Sequence, residues 1–288
     1  MPRPDVLVQP SCFLGESPRW DAAGRSLVFV DIVPGVLYRL DQGALRATSI
    51  GQELGSVNLA PGGALVLALR DGIFLTHDGG TTLEPVAPVE AALRTNRMND
   101  SRCDPMGRLW AGTLAFDEAP GAGSLYRIAA DGSADRVIGG LTIPNGVDWS
   151  PDGSLMYFVD SPTGRIDVLD YDADAGLASS RRPFATLDRE IGVPDGLVVD
   201  AEGGVWVAAF GGGQVRRYQG DGSLSEVIDL PTTQVTSLCF GGDLLDDLYI
   251  TTARKHLTDA ELADQPLAGA VFTCRPGVRG HVEAIFGG

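Results

Sequence analysis

No uninterrupted apolar run in the 288 residues approaches the ~18 that a membrane-spanning helix requires. The opening, Met1-Pro2-Arg3-Pro4-Asp5, carries no apolar secretory core, so a cytoplasmic location is expected. Cysteine is scarce: Cys12, Cys103, Cys239 and Cys274 lie far apart with no Cys-x-x-Cys pair. That argues against a disulfide framework or a thiolate zinc site and for buried free thiols. Positive charge is also in short supply, with Lys+Arg 22 against Asp+Glu 38 and a formal net charge of −16. Such a surface repels phosphate backbones and anionic lipid, so neither nucleic acid nor membrane is expected as a partner. Long amphipathic segments are missing, and the one helix-like stretch, Thr258-Asp259-Ala260-Glu261-Leu262-Ala263, is too short to be a domain. Neither a Gly-x-Ser-x-Gly elbow nor a Walker loop occurs. Gly211-Gly212-Gly213 is followed by no helix and reads as a turn, not a phosphate cradle.

What is present points to an all-β protein. Hydrophobic residues make up 44% and charged ones 21%, enough for a packed core, and 38 Gly with 18 Pro mark many turns. One phrase recurs: an Asp or Ser, two small or turn residues, Gly, then an apolar strand. It ends on Gly24, Gly107, Gly153 and Gly203, with a shorter version, Ala60-Pro61-Gly62-Gly63, and a degenerate sixth copy around Asp243 to Asp247 ahead of Leu248-Tyr249-Ile250-Thr251. Units of ~40–50 residues, each holding several short strands, are the signature of a β-propeller, and six units make six blades. In each turn Gly is assigned the positive φ and Asp or Ser the hydrogen-bonded corner. No linker divides the chain, so residues 1–288 read as one propeller domain. The strands near Ala270 to Cys274 and Val282 to Phe286 are expected to share the closing blade with the N-terminal strand around Val6 to Val8, which removes exposed edges. Trp20, Trp110, Trp149 and Trp206 recur near the turns and are assigned to packing between blades.

Residues at one phase of each repeat occupy equivalent places around a propeller axis. Eight positions before the turn glycines stand Glu16, Asn99, Asn145 and Asp195, with Gly55 at that phase in the second unit. Two carboxylates and two carboxamides converging on a channel are costly unless compensated, and a hard divalent cation compensates them. With no His or Cys at this phase, the donor set favours Ca²⁺, Mg²⁺ or Mn²⁺, with Zn²⁺ as a further option. The competing reading is that Asn145-Gly146 and Asp195-Gly196 are ordinary turn dipeptides; the shared phase favours a central metal site.

These segments also resemble a known family. Leu14-Gly15-Glu16-Ser17-Pro18-Arg19-Trp20, Arg97-Met98-Asn99-Asp100-Ser101, Asp104-Pro105-Met106-Gly107-Arg108, Ala111-Gly112-Thr113-Leu114, Pro144-Asn145-Gly146-Val147-Asp148-Trp149-Ser150, Pro194-Asp195-Gly196 and Thr236-Ser237-Leu238-Cys239-Phe240-Gly241-Gly242 are similar in order to the motifs of the senescence-marker-protein/regucalcin/gluconolactonase family. The resemblance implies a six-bladed propeller and metal-dependent hydrolysis of a sugar lactone to its aldonic acid. It implies Glu16, Asn145 and Asp195 as metal ligands, Asp195 also as proton donor and acceptor, and Arg97 and Asn99 as contacts to sugar hydroxyls. The family's substrate-binding acid falls on Asp117, one methylene shorter than usual, with Glu118 adjacent, and Ser101 stands where the family has Gly. The expected partner is a small sugar lactone, and the chain is expected to be a monomer, with a weak homo-oligomer as the alternative. The alternatives are another metal-dependent ester or organophosphate hydrolase on this scaffold, and a calcium- or sugar-binding protein without turnover.

Overall fold

The computed structural model describes residues 3–288. Six four-stranded antiparallel sheets are arranged as the blades of a propeller. Blade 1 comprises Gly15–Asp21, Ser26–Asp31, Val36–Asp41 and Ala44–Ser49. The inner strands of blades 2 to 5 are Leu54–Leu59, Asn96–Cys103, Pro144–Trp149 and Val193–Val199. Blade 6 is assembled from both ends of the chain. Its strands Val235–Gly241, Asp247–Thr252 and Val271–Cys274 are joined by Asp5–Val8, with Val6 opposite Phe272. The inner strands of blades 1 and 6 pack together, so the ring is closed.

The repeated turns explain the repeated sequence. Asp104 Oδ1 accepts the Met106 and Arg108 amides at 2.9 and 3.0 Å, and its Oδ2 accepts Trp110 Nε1 at 3.1 Å. Asp200 does the same with the Glu202 and Gly204 amides and with Trp206 Nε1. One carboxylate thereby fixes a hairpin corner and the indole six residues on. Gly107 and Gly203 take the positive φ at these corners, but in blade 1 it falls on Arg25 (φ 49°), not Gly24. The indoles bridge blades as anticipated. Trp110 meets Trp149 edge-on at 6.2 Å, Trp206 meets Phe240 at 6.1 Å and Trp20 stacks on Tyr249 at 5.6 Å. All four cysteines are free and buried, and burial pushes the Cys274 thiol up to about 12. The helix Asp259–Asp264 is held by a capping box between Thr258 and Glu261.

The expectation for Val282 to Phe286 needs correction. These residues form no strand. After Arg275-Pro276-Gly277 the chain leaves the sheet and crosses the far end of the channel. It is tied there to blade 6 (Gly280 N to Leu245 O, 2.8 Å), blade 5 (Ala201 N to Arg279 O, 2.8 Å), blade 2 (Phe286 N to Leu59 O, 2.8 Å) and blade 3 (Gly287 N to Gly107 O, 2.9 Å). The strap places Glu283 3.6 Å from Arg19 Nε and 3.7 Å from Arg102 Nη1, both arginines being buried. Asp148 closes this charge cluster, accepting Arg102 Nη1 at 3.2 Å and Val199 N at 2.8 Å on the same oxygen. It therefore staples blade 4 to blades 3 and 5.

Removing one member of a buried ion pair strands the other charge. Asp148→Ala is expected to lower the unfolding free energy by about 3–5 kcal/mol, read from urea or thermal unfolding. A loss below about 1 kcal/mol, the scale of an exposed pair, contradicts the staple.

Candidate active site

The inner strands do not run straight past the channel. Each breaks register with its neighbour at one place: between Glu16 and Arg19, Leu54 and Ser56, Met98 and Ser101, Pro144 and Val147, Pro194 and Leu197, and Val235 and Ser237. The phase that carries Glu16, Gly55, Asn99, Asn145 and Asp195 is therefore a phase of β-bulges, which bend a strand and re-aim its side chains. Asn145-Gly146 and Asp195-Gly196 are strand residues, not turns. Their glycines answer to close approach. A Cβ on Gly146 would lie 2.4 Å from Leu197 N, and one on Gly196 would lie 2.3 Å from Ser237 Oγ. Gly55 is likewise pressed against the backbone of Met98 and Asn99, so blade 2 contributes no polar group at this level. Thr236 in blade 6 spends its hydroxyl on Gly15 O at 2.5 Å, closing the ring onto blade 1.

Glu16, Arg97, Asn99, Asn145 and Asp195 line one cavity of about 170 Å³ at this end of the channel. All five are buried. Arg97 Nη1 donates to Asn99 Oδ1 at 2.9 Å, Asn99 Nδ2 donates to Asn145 Oδ1 at 2.6 Å, and Asn145 Nδ2 donates to Ser161 Oγ at 2.8 Å. Asn99 also donates to Pro144 O at 2.9 Å, so its amide N–H groups are both engaged within the protein. It aligns Arg97 and Asn145 and sets which atom of the Asn145 amide faces each neighbour.

The two acids are under the same strain. Burial, then the charge of Asp100, pushes Glu16 up to about 8. Burial, then the charges of Glu16 and Asp100, holds Asp195 well above the usual carboxylate range. Asp195 Oδ1 is buried without any hydrogen-bond partner. Among the described residues no cluster of three His, Cys, Asp or Glu side chains is gathered as a metal site. The set here is two carboxylates and one amide, an all-oxygen donor group whose charges repel and whose acceptor is orphaned, and that chemistry fits a hard divalent cation.

Asp117 is the one candidate that the structure leaves outside. It is exposed, its Oδ1 accepts the Ala119 amide at 3.1 Å, and it does not line the cavity. Glu118 lines it instead, because the turn closed by Glu118 N to Ala115 O (2.9 Å) puts Glu118 at a left-handed φ of 55° and swings it inward. Ser101 is a strand residue of ordinary φ whose hydroxyl binds Ser56 Oγ and Asn58 Nδ2, tying blade 3 to blade 2. Sequence reasoning missed Ser161, Lys255 and His256, which also line the cavity. Their only legible signal is compositional: Lys255 is the sole lysine in the chain. Apolar side chains of Leu14, Ile32, Leu114, Ile143, Val193 and Phe210 complete the wall, so the cavity is mixed in character.

Fold and site together define a six-bladed propeller with two buried acids and a buried amide in a mixed pocket at one mouth of its channel. The chain belongs to the SMP-30/gluconolactonase/LRE-like family, which residues 14–254 match. A 6-deoxy-6-sulfogluconolactonase from Pseudomonas putida is 38% identical over 98% of this chain and 98% of its own. Bovine (Bos taurus) regucalcin is 34% identical over 93% of this chain and 92% of its own. Among solved structures, a calcium-binding protein, regucalcin, from Agrobacterium tumefaciens superposes with a TM-score of 0.94 at 32% identity, covering 98% of this chain and 96% of the other.

Because Glu16 and Asp195 repel in a desolvated pocket, Asp195→Asn is expected to stabilise the metal-stripped protein by about 1 kcal/mol, a Tm gain of roughly 2 °C for a chain this long. Calorimetry on chelator-treated samples reads this directly. An unchanged or lowered Tm means that the two acids are not in conflict.

Proposed function

We propose that this protein hydrolyses a sugar lactone to the aldonic acid, with a divalent ion, calcium foremost, held by Glu16, Asn145 and Asp195. The observation that carries the reading is the orphaned, buried Asp195 carboxylate beside Glu16 in a cavity also lined by Arg97 and Glu118. The 38% identical Pseudomonas putida relative, a sulfogluconolactonase, supports lactone chemistry, and the calcium-binding Agrobacterium structure supports the metal.

When bound, the ion supplies Lewis acidity toward the charge that develops on the lactone carbonyl oxygen. Asp195 takes a proton from the water that attacks the carbonyl carbon. It returns that proton to the ring oxygen as the acyl–oxygen bond breaks. A carboxylate that also ligates a cation is a weak base, which suits a reactive ester and not a peptide. Arg97 and Glu118 orient substrate hydroxyls, and Asn99 keeps Arg97 and Asn145 aligned. A buried site built this way penalises a wrong hydroxyl pattern through unpaired polar groups. The substrate is a small molecule and the working unit a monomer. The formal charge of −16 supports a role without nucleic acid.

A panel of aldonolactones assayed by acid release, on metal-stripped protein with Ca²⁺, Mg²⁺, Mn²⁺ or Zn²⁺ added back, tests this. Restored turnover that Asp195→Asn lowers by about 10³-fold or more is expected, since both proton transfers are lost. Retained activity in Asp195→Asn overturns the proton role. Tight cation binding with no turnover on any lactone favours the second reading, a calcium-binding protein without catalysis, which the regucalcin likeness supports.

A further inference from the structure

The cavity has one feature that lactone hydrolysis does not require. A chain with 38 acidic residues contains a single lysine, and that lysine lines the candidate active site. Its position is fixed by backbone. The Arg254 and Lys255 amides both donate to Phe13 O, at 3.0 and 2.9 Å, and Leu257 N closes a turn onto Arg254 O at 3.2 Å. Inside that turn His256 sits at a left-handed φ of 67° with its ring edge-on to Phe210 at 6.2 Å. Lys255 is thus held where blade 6 meets blade 1, over the more open part of the cavity. Its side chain is 22% exposed, and Glu16 and Asp195 lie deeper.

Lys255 Nζ donates to Glu118 Oε1 at 2.8 Å, which leaves two of its three N–H groups without a side-chain partner among the described residues. Arg97 adds a second cation to the same wall, and among the described residues only Nη1 of its guanidinium donates. If Glu16 and Asp195 are matched by a divalent ion, the remaining charges that line the cavity are Arg97 and Lys255 against Glu118, with Glu53 acting on Arg97 from outside the lining. The unused N–H groups of Lys255 and Arg97 suit an anionic group better than a neutral hydroxyl. Around them the protein is strongly acidic and repels anions, so an anionic ligand reaches this cavity only if local cations receive it.

We propose that Lys255 is a specificity-determining residue that binds an anionic group on the part of the sugar lactone remote from the carbonyl, so that the preferred substrates are lactones bearing a carboxylate, sulfonate or phosphate. This rests on the lactonase reading for the lactone, but not for the anion. Glu118 holds Lys255 in place in the free protein and competes with the substrate's anion for it.

A matched pair isolates the charge. D-Glucono-1,4-lactone and D-glucaro-1,4-lactone share ring and configuration and differ only in a C6 hydroxymethyl against a C6 carboxylate. Glucono-1,5-lactone, its 6-phosphate and its 6-deoxy-6-sulfonate form the second set, which tells phosphate from sulfonate. The wild-type protein is expected to favour a charged member in kcat/KM. Lys255→Met lowers the charged-to-neutral ratio about tenfold or more, Lys255→Arg retains most of it, and Glu118→Gln raises it. A ratio that Lys255→Met leaves unchanged overturns the proposal, as does a wild-type preference for the neutral lactones.

The lone lysine also gives a readout without turnover. Reductive methylation modifies only Lys255 and the N-terminal amine, and mass spectrometry separates the two. 6-Phosphogluconate is expected to slow methylation of Lys255 where equimolar gluconate does not. Equal rates with the two overturn the anion subsite. Protection without hydrolysis of any lactone leaves the subsite standing and removes the lactonase reading.

Discussion

Six inner strands crowd around one axis, and at one level each must bulge to do so. The bulge is what everything else at the site depends on. A regular strand sends alternate side chains to opposite faces of its blade, and neither face is the channel. Breaking register turns Glu16, Asn99, Asn145 and Asp195 toward the axis, where they share one cavity. The same crowding fixes which blades can contribute. Where a neighbouring backbone comes too close, as at Gly55, a side chain does not fit and the ring has a gap.

The cost of bringing acids together is met at two levels by different means. At the far end of the channel Asp100, Asp148 and Glu283 are set against the guanidinium groups of Arg19 and Arg102, and the C-terminal strap delivers one of the carboxylates. At the near end Glu16 and Asp195 act on each other with no cation at ion-pair distance among the described residues, and burial raises both. A protein able to pair Asp100, Asp148 and Glu283 with arginines has left these two without an ion pair among the described residues. That contrast is the physical case for a cation there, and it separates a structural charge cluster from a functional one.

Much of this was legible in the sequence, for a specific reason. A propeller repeats its turns, so the Asp-to-Gly corners at Asp104 and Asp200 reveal the blade period, and counting back from the glycines lands on the bulge. The family resemblance added roles to those positions. What counting could not show was register. It left the turn-dipeptide reading of Asn145-Gly146 and Asp195-Gly196 standing as a competitor, when their glycines answer to contact with the next blade. It also extended the closing blade to Val282–Phe286, where the chain instead leaves the sheet to carry Glu283 to the arginines. Glu118 was not separable from Asp117, because a single left-handed residue decides which of two adjacent acids enters the cavity. Lys255 lies outside the repeat phase altogether, in the connection within blade 6, and only its solitude in the composition marks it.

The central claim is that the bulges converge to hold one divalent ion between blades 1, 4 and 5. Crystals grown from chelator-treated protein and soaked in Mn²⁺, with anomalous data collected near the manganese edge, test it most directly. The account predicts a single strong anomalous peak within ligand distance of Glu16, Asn145 and Asp195. A channel without a peak, or an ion held only at the surface by other acids, would contradict it.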